Sequence, residues 1–186
     1  MQPAPATDLS AIVKDSVEVT LRADNLLPLL VDAFIVISVS FCSAGVLAAP
    51  LLHGYTAMCL RAVRGEKIAV GESFRGIERL GPNVVLGLAL GLLLALGTAL
   101  PVVGNLAVLC VLWWCFCVSV ERPELGAVDV LKATFAVTRA RPVETLIVAA
   151  IGLTLTAVLG ATMVGAVPAF AFTAVLTAVA WSRISR

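Results

Sequence analysis

Long apolar runs alternate with shorter charged segments along this chain. Crossing a hydrocarbon layer takes about 20 apolar residues in a helix. Four runs meet that length: Leu26–Ala49, Val84–Leu100, Val102–Val120 and Thr145–Val167. A fifth, Ala169–Trp181, reaches it with the flanking Val167 and Ser182. A sixth, Val46–Val63, is the weakest, with Pro50 in its first turn and Arg61 near its end. Proline is tolerated in a first turn because that N–H has no intrahelical partner, and a terminal arginine can snorkel to the headgroups. The pattern predicts an all-α, polytopic membrane protein with about six transmembrane helices.

Three segments punctuate the runs with glycine followed by proline: Gly45–Pro50, Gly97–Pro101 and Gly165–Pro168. Glycine ends one helix and proline opens the next, so the spans are expected to pair as three helical hairpins. Nearly all the charge lies between the hairpins, in Ala11–Asn25, Glu66–Leu80 and Glu121–Arg141. Each of these carries an amphipathic pattern: Val13, Val17 and Leu21; Phe74, Ile77 and Leu80; Val128, Leu131 and Phe135. Too short and too charged to span, they are expected to lie as helices in the membrane interface. The unit of amphipathic segment, span, turn and span recurs near 11–64, 71–122 and 127–183, which predicts an internal threefold repeat within one membrane domain over 11–186. Residues 1–10 are expected to be a disordered tail. They show no basic start, short apolar core and cleavage site, so no cleaved leader is expected and the first span should stay in place.

Composition sharpens this picture. Apolar residues make up 60% of the 186 and charged residues 13%, and mean hydropathy is +1.04. A soluble domain is nearer 45–50% apolar and about 25% charged. The net charge of +1 supplies no field for nucleic acid. The five cysteines, Cys42, Cys59, Cys110, Cys115 and Cys117, all fall inside apolar runs and read as small hydrophobes.

The 13 Lys and Arg residues all fall on one side of the six-span arrangement, from Lys14 and Arg22 to Arg183 and Arg186. The positive-inside rule then places both termini and the charged segments in the cytoplasm. The other face consists of three short apolar turns, so no receptor or enzyme domain is expected there.

Over nearly its whole length after the first ten residues, the chain resembles a family of six-helix bacterial membrane proteins, the YciC-like proteins and the membrane domain found beside some glycerophosphodiester phosphodiesterases. The resemblance rests on Arg61-Ala-Val-Arg64-Gly65-Glu66, Gly71-Glu-Ser-Phe-Arg-Gly76, Leu80-Gly-Pro82, Ala127-Val-Asp-Val-Leu-Lys-Ala-Thr134 and Val164-Gly-Ala-Val-Pro168. It implies fold, topology and a bacterial cytoplasmic (inner) membrane, and brings no catalytic residues. The chain ends at Arg186 after the last span, so glycerophosphodiester hydrolysis is not expected.

Asp32 is the one acidic residue well inside an apolar run. An ionisable group in a span is a functional candidate because leaving it unpaired in lipid costs at least about 2.5 kcal/mol. A hairpin turning near Leu47–Ala48 brings Asp32 level with Arg61 and Arg64. The expectation is an ion pair near the cytoplasmic interface, with an ion- or proton-coupled site as the alternative. His53, near the uncharged face, reads as a hydrogen-bonded interface residue rather than a ligand or relay. Gly87, Gly91 and Ala95 form a small-residue stripe suited to helix packing within the bundle or between copies, as do Ala157, Ala161 and Gly165, and Ala174, Ala178 and Ser182. Trp113 and Trp114 sit away from the ends of their span and read as packing or lipid-facing residues. No phosphate-loop, zinc-protease, C-x-x-C or nucleophile-elbow motif occurs. No cofactor, metal or catalytic set is expected. The expected role is a non-enzymatic membrane scaffold or subunit that binds lipid, a partner protein or a second copy. The alternative is a component of a small-molecule or lipid transporter with Asp32 in a polar site. The two differ in whether the interior is dry or holds an open polar cavity around Asp32.

Overall fold

The computed structural model describes residues 9–98 and 103–185. Most of the expected tail and most of the second expected turn lie outside them. The described residues are helical and contain no strand. The helices are α1 (Leu9–Leu21), α2 (Ala23–Cys42), α3 (Ala48–Val63), a 3-10 helix (Glu72–Arg79) running into α4 (Leu80–Gly97), α5 (Val103–Leu112), α6 (Cys115–Glu121), α7 (Ala127–Ala140), α8 (Pro142–Leu159) and α9 (Met163–Ile184). Four helical stretches are long and apolar enough to cross a membrane: Ala23–Cys42, Glu72–Gly97, Pro142–Leu159 and Gly165–Ile184.

Helix α9 forms the spine and packs against α1, α2, α3 and α8. Its buried residues are mostly small or compact: Ala169, Ala171, Val175, Leu176, Ala178, Val179 and Ala180. Small side chains let helix axes approach where water supplies no drive to associate. Helices α2 and α3 pack together, as do α4 and α5, and α8 and α9.

The first expected turn forms where the sequence places it. Helix α2 closes with Gly45 N–H on Ser40 O at 2.8 Å and Ala44 N–H on Phe41 O at 3.1 Å, the Schellman arrangement that satisfies terminal carbonyls. The last expected turn shifts. Helix α8 stops at Leu159 and α9 starts at Met163, so Pro168 lies inside α9. The physical reason is Thr162: its side chain accepts from Gly165 N–H at 3.0 Å and starts the helix ahead of the proline.

The expected span Val102–Val120 is interrupted between α5 and α6, at Trp113–Trp114. Consecutive residues on an unbroken α-helix point about 100° apart, yet both indoles are packed against α8. The Trp114 Nε1–H donates to Thr145 Oγ1 at 2.9 Å, and its ring lies 5.7 Å from that of Trp181. The Trp113 ring lies against Gly152, where a Cβ would come within 2.7 Å of it. The break lets both large rings fill the α8–α9 side.

The charged segments are helical, forming α1, the 3-10 helix and α7. The middle one forms a 3-10 helix packed backbone to backbone against α3. Any Cβ on Gly54 would sit 2.0 Å from Ser73 O, and one on Gly76 would sit 1.8 Å from Pro50 O. Two glycines facing each other thus set the crossing. Parts of the apolar stripes face outward: Leu21, Phe74, Ile77, Leu80, Val128 and Phe135 are exposed, whereas Val13 and Leu131 pack against the core. Facing inward beside the buried Ile12, Val19 and Val130 are Ser16, Ser73 and Thr134, these three fully buried. Ser16 and Thr134 donate to carbonyls one turn back, Ile12 O at 2.7 Å and Val130 O at 2.8 Å, so their burial leaves no orphaned hydroxyl.

Gly54→Ala and Gly76→Ala are expected to lower stability by about 2 kcal/mol or more, because the added methyl meets backbone that cannot rotate away. Gly91→Ala, which meets no atom within 4 Å, should be neutral. Denaturant unfolding in mild detergent measures all three, and tolerance of Gly54→Ala would contradict the crossing.

Candidate functional site

The polar interior centres on Asp32, the tenth residue of α2, about 14 Å along that helix from its first residue. It is fully buried. Its carboxylate faces the start of the 3-10 helix: Gly71 N–H donates to Oδ1 at 2.6 Å and Ser73 N–H to Oδ2 at 3.0 Å. The first N–H groups of any helix lack intrahelical acceptors. In an apolar interior each unsatisfied group costs about 1–3 kcal/mol, so a carboxylate that takes two of them is strongly held. Gly71 is the residue that makes the turn into this position, with φ +90°, where an L side chain is strained.

Arg61 approaches the same segment from the other side. Its guanidinium donates to Glu72 at 2.7 Å, to Glu66 at 2.8 Å and to Lys67 O at 3.0 Å. Asp32 therefore holds the residues on either side of Glu72, and Arg61 holds Glu72 itself. The expected ion pair of Asp32 with Arg61 or Arg64 is replaced by this indirect arrangement. Arg64 lies elsewhere, bonded to Glu121 at the end of α6 at 2.9 Å. The correction has a simple cause: two amides within reach satisfy the carboxylate at the depth where it sits, and the arginines stay at the helix end. The sequence signal available was Gly71 directly ahead of Glu72, but nothing local in it pointed to Asp32, which is 39 residues away.

Next to this cradle, Tyr55 donates to Leu29 O at 3.0 Å and its ring packs 5.2 Å from Phe170, tying α3 to α2 and α9. His53 lies in the interior, not at the uncharged face, with its Nδ1 3.2 Å from Ser119 Oγ of α6. Sequence reasoning missed Ser119. It also missed Asn83, whose Nδ2 donates to Gly76 O at 2.9 Å, and Asn25, whose Nδ2 donates to Val19 O at 3.0 Å. Both asparagines are buried within the first turn of a long helix and serve the backbone just before it.

The larger openings lie away from these polar groups. A cleft of about 610 Å3 runs between α3, α4 and α5, lined by residues including Ala49, Gly87, Gly91, Leu94, Leu109 and Trp113. A second of about 760 Å3 lies between α2, α3 and α9, with Ser40 as its one polar side chain among the described residues. Of the expected packing stripe, Gly87 alone closes on a neighbour: its missing Cβ would meet Ala49 Cβ at 2.6 Å. Gly91 borders the first cleft and Ala95 is exposed.

Asp32→Asn offers one acceptor where two amides donate, and sets an NH2 against an N–H. It is expected to cost about 1–3 kcal/mol. Arg61→Gln, whose ion pairs are partly solvated, should cost less, about 1 kcal/mol or below. Equal losses in the two variants, read by denaturant unfolding, would point back to a direct Asp32–Arg61 pair.

Compared with family models, curated proteins and solved structures, the chain shows no match to any of them.

Proposed function

We propose that this chain is a non-enzymatic scaffold or subunit embedded in a bacterial cytoplasmic membrane, with six spans, both termini in the cytoplasm, and lipid or a partner protein as its ligand. The six spans are α2, α3, the 3-10–α4 rod, the broken α5–α6 pair, α8 and α9, paired as three hairpins. The resemblance to the YciC-like family accords with this topology. Ion pairs also accord with it: Arg64 of α3 meets Glu121 of α6, and Arg183 of α9 meets Asp15 of α1, so returning helices and charged segments share one end.

The internal repeat belongs to the same reading. Ser16 and Asn25, Ser73 and Asn83, and Thr134 and Thr145 occupy corresponding places in the three units. The first of each pair is fully buried in the charged segment. The second lies in the first turn of the following span and reaches back to a carbonyl before or at its start: Val19 O, Gly76 O and Arg141 O.

One observation carries the choice of scaffold over transporter. The one deep carboxylate among the described residues is consumed by backbone amides, and the open clefts are apolar. A solute pathway needs polar groups free to exchange partners near the midplane. Outward-facing apolar stripes on the charged segments suit contact with lipid.

Three measurements test this. Thr98→Cys, with the exposed Cys42 replaced by Ser, should react with an impermeant maleimide on intact cells; reaction only after permeabilisation would overturn the topology. Purification in nanodiscs, with mass spectrometry of what travels with the chain, should find a defined lipid or protein at fixed stoichiometry. Solute flux in proteoliposomes that disappears in a folded Asp32→Asn protein would instead establish the transport reading.

A further inference from the structure

Among the described residues, most of the cations that are not fully exposed have a carboxylate partner. Arg61, Arg141 and Arg183 each form an ion pair. Arg79 does not. It is partly buried, and its guanidinium donates to a neutral acceptor, Pro123 O. Lys14, Lys67, Arg122 and Arg139 also lack carboxylate partners, but they are exposed and water compensates them. A partly desolvated guanidinium without an anion is unfavourable, and it retains donors that one carbonyl does not use.

The polar side chains around Arg79 are Asn83 and Ser119, among apolar neighbours. Arg79 borders a small cavity of about 10 Å3 with Pro82, Asn83, Leu86, Ser119, Leu125, Ala127 and Val130. No carboxylate lines it. Ser119 offers its hydroxyl and is itself backed by His53, at 3.2 Å. Both are more than nine-tenths buried. Such a volume admits about one oxygen atom, the size of a water. The cavity lies where the 3-10 helix meets α4, beside the α6–α7 connection, at the charged end of the bundle.

We propose that this niche binds a phosphate oxyanion, with one oxygen inserted against Ser119 and the remainder of the group held at the mouth by Arg79. Arginine suits this role because its planar fork donates to two phosphate oxygens at once. With the imidazole proton on Nδ1, His53 donates to Ser119 Oγ and leaves the hydroxyl proton for the inserted oxygen. The source of the phosphate is either a phospholipid headgroup of the adjoining leaflet or a soluble phosphate. The lipid source rests on the membrane reading above; the oxyanion site does not.

Native mass spectrometry of the detergent-solubilised chain tests this with three probes: phosphatidic acid, diacylglycerol with the same acyl chains, and inorganic phosphate. Retention of one phosphatidic acid per chain is expected, with diacylglycerol not retained. Arg79→Gln should weaken phosphatidic acid binding on the order of tenfold, the usual worth of a charge-assisted hydrogen bond, and Ser119→Ala should weaken it severalfold. The exposed Arg139→Gln should bind as the native chain does. Binding of inorganic phosphate with the same dependence on Arg79, and no preference for the lipid, keeps the site and assigns it to a soluble ligand. Equal retention of phosphatidic acid and diacylglycerol, no retention of any probe, or unchanged affinity in Arg79→Gln overturns the proposal. If Arg79→Gln fails to fold, unchanged affinity in Ser119→Ala overturns it alone. The Thr98 labelling reports on the membrane topology independently, so the two readings can fail separately.

Discussion

A backbone segment that enters an apolar interior must find an acceptor for each N–H that its own helix leaves free. That constraint organises the centre of this bundle. The 3-10 helix starts beside α3 at the level of Gly54, where water is excluded, and its leading amides meet the carboxylate of Asp32. Without an acceptor there, the segment would have to withdraw toward the helix ends. The Gly54–Gly76 contact would then be lost, along with the start of α4. Asp32 is therefore best understood as an internal cap contributed by a different helix. A carboxylate suits the role because each of its oxygens accepts independently and its charge favours a helix N-terminus. Arg61 completes the arrangement by fixing the one side chain, Glu72, that lies between the two bonded amides.

The same economy of polar groups explains why the charged segments bury hydroxyls beside Ile12, Val19 and Val130 while leaving Leu21, Phe74 and Phe135 exposed. In water such an orientation would be unfavourable, since burying a large apolar side chain is worth about 1.5–3 kcal/mol. Under the proposed membrane placement that gain disappears, because lipid would solvate Leu21, Phe74 or Phe135 as well as a protein core does. What remains is close approach, which small residues permit. Ser16 and Thr134 bond to their own helices and so occupy the contact at little cost.

This contrast shows what was legible in the sequence. Helical class, the apolar stretches and the first turn follow from run length and from the Gly/Pro punctuation, which are local properties. Asp32 stood out because an acid in an apolar run is anomalous wherever it sits. Its partner did not, because the candidates were chosen by charge, whereas the observed partners are backbone amides that no residue type advertises. The α5–α6 break was hidden for a similar reason: Val102–Val120 contains no proline or glycine at Trp113–Trp114, and the interruption comes from fitting two rings against one neighbouring helix pair. Ser119 and Asn83 escaped notice because a single hydroxyl or amide in an apolar run normally satisfies itself. Only the assembled bundle shows which ones face another element.

Arg79 is the cationic counterpart of Asp32. In the sequence it is one of 13 cations, with nothing to separate it from Arg75 four residues earlier. Arg75 is exposed and lies 3.9 Å from Glu72, and its environment needs nothing more. Arg79 has no such partner among the described residues and borders a small cavity lined mostly by apolar side chains. A buried carboxylate that accepts from two amides is complete, whereas an arginine whose acceptor among the described residues is one neutral carbonyl still has unused donors. The other openings among the described residues are apolar, so this unmatched cation is the position at which the proposed oxyanion would be held.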